Sequence, residues 1–277
     1  VVAGRNVLWC AATQLAWDAF GEAFASIGAP SRDLRLGPPA PPALVAAMNR
    51  HDFPHGDLDP ASYVVEAGLV GAGLVTRFER RMAALGRSFP LALDRLDPEG
   101  IAALVYLFKD LPFEQPFLVH EEPLHFAGSA TPLASFGTDH AAQGAAHPRM
   151  LRQLRLHDGD AGPDGWPNTD DDVFAVTLMP RTGGDRIVLG HIAPPATLDA
   201  GWTTTAALLA RPETSIPRET TLKVPKVDFA TTHEFSEVVG ARLLDVPAVR
   251  PPPRIVGFRQ RLEFRLSEEG ARLVAAV

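Results

Sequence analysis

The sequence predicts an α+β fold. Two observations carry that prediction. Apolar residues at helical spacing dominate the early part of the chain, and strand-like runs dominate the later part. A third observation narrows it: no internal repeat is present, so a solenoid or propeller is not expected.

The elements come in this order. Residues Asn6 to Phe24 read as a short buried strand, "NVLWC", running into a helix with Leu15, Ala19 and Ala23 on one side and Phe20 and Phe24 beside them. The stretch "GPPAPPALV", Gly37 to Val45, reads as a proline-rich connector. Asp59-Pro60 can open a helix, since proline suits the first helical position. Leu69 to Leu85 reads as an amphipathic helix with Arg77, Glu79, Arg80 and Arg81 on its wet side. Ile101 to Phe117 begins with a continuous apolar run, the pattern of a strand buried on both faces. Strands are then expected over Met150 to Leu156, Val173 to Pro180 and Arg186 to Pro195, the last two joined by the turn "TGGD". Ala196 to Leu209 reads as a helix, Glu219 to Phe229 as a strand, and Thr232 to Gly240 as a helix closed by glycine. Arg259 to Glu268 alternates Leu262, Phe264 and Leu266 with charged neighbours, a strand with one face on a core.

With 277 residues the chain can bury a large core. Net charge is −7 and the pI about 5.7. No Lys/Arg run forms a basic patch, and Lys109, Lys223 and Lys226 do not group, so a nucleic-acid partner is not expected. A single cysteine, Cys10, excludes a disulfide framework within the chain. No apolar run reaches the roughly 18 residues of a membrane span. No signal peptide is visible, and the chain starts at Val1 rather than methionine, so the compartment is left open, extracellular or periplasmic included.

Catalytic signatures are missing. The sequence has no G-x-S-x-G, H-E-x-x-H, P-loop or G-x-G-x-x-G, and "HEE" at His120 to Glu122 is too short for a zinc helix. Asp158 to Asp172 resembles a calcium loop but places Gly162 and Pro163 where such a loop needs an oxygen ligand and then glycine. Five histidines between His120 and His157 read as loop residues; a cluster of His120, His125, Asp139 and His140 would favour an unrecognised enzyme site. Cys10 reads as a small core residue. No cofactor and no metal are expected.

Four stretches, taken in order, resemble the serpins. "NVLWCAATQLAWDAF" is similar to the serpin strand that begins Asn-Val and leads into a helix. "YLFKDLPFEQPF", Tyr106 to Phe117, is similar to the strand ending Phe-Lys. "LKVPKVDFATTHEFSEVVG", Leu222 to Gly240, is similar to the strand with Leu-Pro-Lys-Phe and its following segment. "LEFRLSEEGARLVAAV" is similar to the strand entering the reactive loop, where Glu-Glu-Gly precedes small residues. The stretch from Ala25 to Gly100 is compressed relative to that pattern.

The resemblance implies one serpin-like domain over residues 1–277, with several helices around a large central mixed sheet and additional sheets. It implies a chain incomplete at both ends, lacking the first helix and the C-terminal part beyond the loop hinge. It also implies inhibition of a serine or cysteine peptidase by insertion of the loop into the central sheet; alternatives are a non-inhibitory binding or structural module and an enzyme. The implied hinge is Glu268, Glu269, Gly270, Ala271, Leu273 and Ala275, with Gly270 as pivot, Ala271, Leu273 and Ala275 as the inward row, and Arg272 outward. The positions similar to the two shutter serines are Cys10 and Thr13. Departures are Leu104 in place of an asparagine, Pro112 or Phe113 in place of a tryptophan, and Gln260 in place of a histidine.

Overall fold

A computed structural model describes every residue except 1–9, 30, 52–55, 57, 94–95, 126–130, 142–143, 159–172, 219 and 245–251, and the side chain of residue 158. The expected strand at "NVLW" and the acidic loop to Asp172 lie outside the described residues. The chain divides into two compact units that interleave in sequence: one holds residues 1–8, 110–228 and 265–272, the other 9–109, 229–264 and 273–277.

The second unit is built around helix α1 (Ala11–Ser26). Its alanine-rich sequence has no proline, and Gln14 donates to Asp18 one turn later at 2.6 Å. Gly21 is required by its neighbour, because a Cβ there would overlap the Arg32 carbonyl oxygen. Helix α2 (Pro42–Met48) falls where a connector was expected. Pro42 opens it at the first helical position, where a missing N–H is harmless, and Ala-Leu-Val-Ala-Ala-Met then continues it. Asp59 does cap a helical turn, but only a 3-10 turn over Pro60–Ser62.

Strand β1 (Tyr63–Leu69) comes next, unanticipated because "YVVEAGL" breaks the polar/apolar alternation at its end. The amphipathic helix is α3 (Leu74–Ala84), five residues shorter at its start than expected because β1 and a 3-10 turn take up Leu69 to Ala72. Its apolar row Leu74, Phe78 and Met82 is buried and its arginines are exposed. Strand β2 (Ile101–Pro112) pairs antiparallel with β1, from Tyr63 opposite Leu107 to Leu69 opposite Ile101.

The first unit holds two three-stranded sheets. One has the order β3-β4-β8, from β3 (Leu118–Leu124), β4 (Leu133–Thr138) and β8 (Leu222–Pro225). The other has the order β5-β6-β7, from β5 (Leu154–Asp158), β6 (Phe174–Leu178) and β7 (Ile187–His191), the last two joined as "TGGD" predicts. Helix α4 (His147–Arg152) takes up Met150 to Arg152, where a strand was expected; Pro148 at its first turn starts it. Helix α5 (Leu198–Leu209) stands as predicted, with Thr197 capping its start by accepting from Ala200 N at 3.1 Å.

Lys226 divides the expected strand Glu219 to Phe229 into β8 and β9 (Val227–Glu234). Strand β9 takes Thr232 to Glu234 from the expected helix, and Ser236 to Gly240 are turns; Thr231 and Thr232 favour the extended form. Strands β10 (Arg259–Ser267) and β11 (Gly270–Ala276) complete a five-stranded sheet in the order β1-β2-β11-β10-β9. The histidines are not mainly in loops: His120 lies in β3, His147 in α4 and His157 in β5.

Candidate functional site

The segment expected to form a mobile loop hinge is a strand in the centre of a sheet. Two residues, Glu268 and Glu269, turn β10 back on itself, and β11 then runs between β10 and β2. At its far end Val277 N donates to Val105 O and Val105 N donates to Val277 O, both at 2.9 Å. That reciprocal exchange is the signature of an antiparallel pair. A central strand satisfies backbone donors and acceptors along both edges. At about 0.5–1.5 kcal/mol net per bond, the ladder outweighs any single side chain in the row.

Alternate residues of β11 face two different cores. Ala275 and Val277 are buried with Cys10, Ala11, Ala12 and Leu15 of α1, with Val105 and Leu107 of β2 and with Leu262 of β10; Leu273 is partly buried against the same cluster. Val274 and Ala276 are buried on the opposite face with Leu74, Phe78 and Met82 of α3 and with Leu104 and Tyr106. Arg272 is exposed and Ala271 buried. The row Ala271, Leu273, Ala275 therefore faces inward, and the outward row is itself buried from Val274 onward.

The turn is held on its own unit. Phe113 N donates to Glu269 O at 2.8 Å, and Phe117 N donates to Glu268 O at 3.0 Å. Glu269 N donates to Ser267 Oγ at 3.3 Å. Gly270 has φ +147, and a Cβ there would overlap Leu111 O and lie 2.7 Å from Pro112 Cα. Glycine is thus needed for close approach to the end of β2 as well as for backbone conformation. Lys226 Nζ stands 2.7 Å from Glu268 Oε2. Among the described residues no donor is aligned on that oxygen for a hydrogen bond, Lys226 included, so the contact is an ion pair; the nearby ammonium holds the Glu268 carboxyl below its ordinary range, against a smaller opposing push from burial.

The shutter-like residues differ in setting. Cys10 is the buried residue before α1, its thiol pushed up by burial; its carbonyl accepts from Thr13 N at 3.2 Å, and Thr13 is half-buried. Leu104 lies in the α3 cluster, on the face away from Cys10. Gln260, two positions before Leu262, carries an Nε2 buried without a hydrogen-bond partner among the described residues. Phe113 stacks edge-on with Phe117 at 4.8 Å, and Phe117 lies 6.0 Å from Phe136.

The histidine cluster does not assemble as a catalytic set. His120 Nε2 bonds Leu222 O at 3.2 Å, His140 Nδ1 bonds Thr221 Oγ1 at 2.8 Å and lies 3.7 Å from Asp139, and His125 is exposed. Among the described residues no three His, Cys, Asp or Glu side chains converge to hold a metal ion, and no helix is long and apolar enough to cross a membrane.

No protein-family model matches the sequence. A search of curated proteins found no match. Comparison with solved structures decides the fold. A cleaved viral serpin, CrmA, superposes with TM-score 0.54 at 12% identity, over 99% of this chain and 95% of that one. The chain has the serpin fold. Reaction-loop-cleaved lamprey angiotensinogen gives TM-score 0.53 at 10% identity, over 100% and 91% of the two chains. Ovalbumin from emu, Dromaius novaehollandiae, gives 0.52 at 8%, over 99% and 83%. In this serpin fold, the α+β class and the large sheet beside smaller ones stand as the resemblance implies, but the five-stranded sheet is antiparallel where a mixed one was expected. Sequence reasoning missed Lys226 and Gln153 around the turn; the "VPKV" interruption of a strand was the available signal for the first, and none marked the second.

Proposed function

We propose that this serpin-fold protein inhibits a serine or cysteine peptidase by insertion of its reactive loop into the five-stranded sheet. One observation carries the reading: β11 occupies a slot between β2 and β10, joined to β10 by a two-residue turn and buried on both faces over Val274 to Ala276. A segment that can leave such a slot as an exposed loop and return as a strand gains a ladder of backbone bonds and two apolar faces on return. In this reading Glu268, Glu269 and Gly270 form the hinge, Ala271, Leu273 and Ala275 are the inserting row, and Cys10 and Thr13 sit beneath the sheet where it parts. No cofactor takes part.

A second reading, a serpin-fold module that binds without trapping, is favoured by Leu273. It is the largest residue of the inward row and remains only partly buried, so its fit is poorer than that of Ala275. One experiment separates the two. Incubation with a panel of serine and cysteine peptidases should yield a covalent complex that survives denaturant, and loop cleavage should raise the melting temperature. Cleavage without either result supports the non-inhibitory reading.

A further inference from the structure

Resting on the loop-insertion reading above, we propose that Gln153 is a positioning residue for the hinge: it fixes the short loop that receives the Glu268–Glu269 turn. The side chain is buried between α4 and β5, and its three side-chain hydrogen bonds go to one place. Its Oε1 accepts from Glu114 N at 2.7 Å and from Gln115 N at 3.1 Å, and its Nε2 donates to Gln115 O at 2.8 Å. Three bonds from one amide to two successive residues replace the secondary structure that this loop lacks.

The loop so held is the receptor for the turn. Phe113 and Phe117, on either side of Glu114 and Gln115, donate their amides to Glu269 O and Glu268 O. The Gln153 backbone is fixed in turn, its carbonyl accepting from Met179 N at 2.8 Å, and Arg181 N donates to Pro112 O at 2.8 Å. The three side-chain bonds of Gln153 go to neither the turn nor β11. It acts by aiming two backbone donors at the position where the turn must seat. Without it, the backbone groups of the loop lose their orientation, and the start of β11 loses its anchor before its side chains lose any contact.

Hydrogen exchange on the whole chain tests this. In Gln153→Leu, which keeps the volume and removes the bonds, the amides of Phe113, Phe117 and Gly270–Ala276 should exchange about tenfold faster or more, the loss of roughly one to two hydrogen bonds. Amides of β6 should be unchanged. In the unaltered protein, the amides of Glu114, Gln115 and β11 should open together with the same urea dependence, a result that needs no variant to fold. Equal acceleration throughout the unit, or β11 opening independently of Glu114 and Gln115, would overturn the role of Gln153. The peptidase panel reads the inhibitory function separately: its failure removes that function and leaves the exchange result standing.

Discussion

Lys226 Nζ lies 2.7 Å from Glu268 Oε2, linking the break between β8 and β9 to the turn that starts β11. Both side chains are only partly exposed, at 29% and 24%, so the pair is screened less than a surface ion pair but is far from buried. Replacing either residue by a neutral one, Lys226→Met or Glu268→Gln, should lower stability by about 1 kcal/mol or less.

The same pair gives a pH dependence with a defined sign. Lys226 holds the folded carboxyl of Glu268 below its ordinary value of 4.5. A depressed acid contributes stability that is present above the unfolded value and is lost as pH falls through the folded one. The melting temperature of the unaltered protein should therefore lose this contribution below about pH 4.5, and the difference from Glu268→Gln should shrink there. A difference that stays constant from about pH 7 to about pH 3 would refute the assignment.

Gly270→Ala tests the close approach of the turn to β2. The added Cβ overlaps Leu111 O, a backbone atom that cannot swing aside, and φ +147 strains any L side chain. A loss of about 1–3 kcal/mol or more is expected in urea unfolding. Ala271→Gly, at the next and buried position, should lose only about 0.5–1 kcal/mol. Equal effects at the two positions would mean that the packing against Leu111 is not what selects glycine.

Much of the fold was legible because it rests on periodicity. The apolar start of β2, the alternation of β10, the "TGGD" hairpin and the spacing of α1, α3 and α5 each set one element. Errors came where neighbours override local preference. Pro42 reads as a linker residue but opens α2, and of "THEFSEVVG", which has helical spacing, Thr232 to Glu234 continue β9 while Ser236 to Gly240 form turns. The turn between β10 and β11 was legible as "SEEGA", a local pattern. Lys226 and Gln153 were not, because their contacts join positions 42 and 38 residues distant from them in sequence, and spacing carries no trace of such pairs.

Cys10 should be nearly inert in the folded protein. It is buried with Ala275 and Val277 beneath the sheet, and burial raises its pKa above the ordinary value of 9.0, so thiolate is scarce at neutral pH. Labelling by a thiol reagent should be orders of magnitude slower than in urea. Fast labelling of the native protein would show that β11 and its neighbours part often enough to expose α1.

Leu273 and Ala275 share one face and one cluster but differ in fit. Ala275 is fully buried, so Ala275→Leu should overpack the slot at about 1–3 kcal/mol. Leu273 is only partly buried, so Leu273→Ala should cost less than the roughly 2–5 kcal/mol of a fully buried leucine. If the peptidase panel forms complexes, Leu273→Ala should leave or raise their yield while Ala275→Leu lowers it. The reverse order would place the slot's tight point at position 273.

His51 supplies a second pH dependence, opposite in sign. Its Nδ1 lies 2.8 Å from Asp18 Oδ1 and its Nε2 lies 2.9 Å from Asp33 Oδ1. A neutral imidazole has one N–H, so only the imidazolium can donate to both carboxylates. The pKa is raised by the Asp33 bond first and by Asp18 next, against burial and the Arg32 charge. A raised base contributes stability that is fully present below the unfolded value of about 6.5 and is lost as pH rises through the folded value. Unfolding experiments from about pH 5 to about pH 9 should show that loss in the unaltered protein. His51→Asn is the informative comparison, because φ is +53 at this position and asparagine tolerates that backbone. It should be less stable than the unaltered protein at about pH 5 and should close the gap as pH rises. A gap that widens with pH would show that neutral histidine, not imidazolium, is the form that the two aspartates hold.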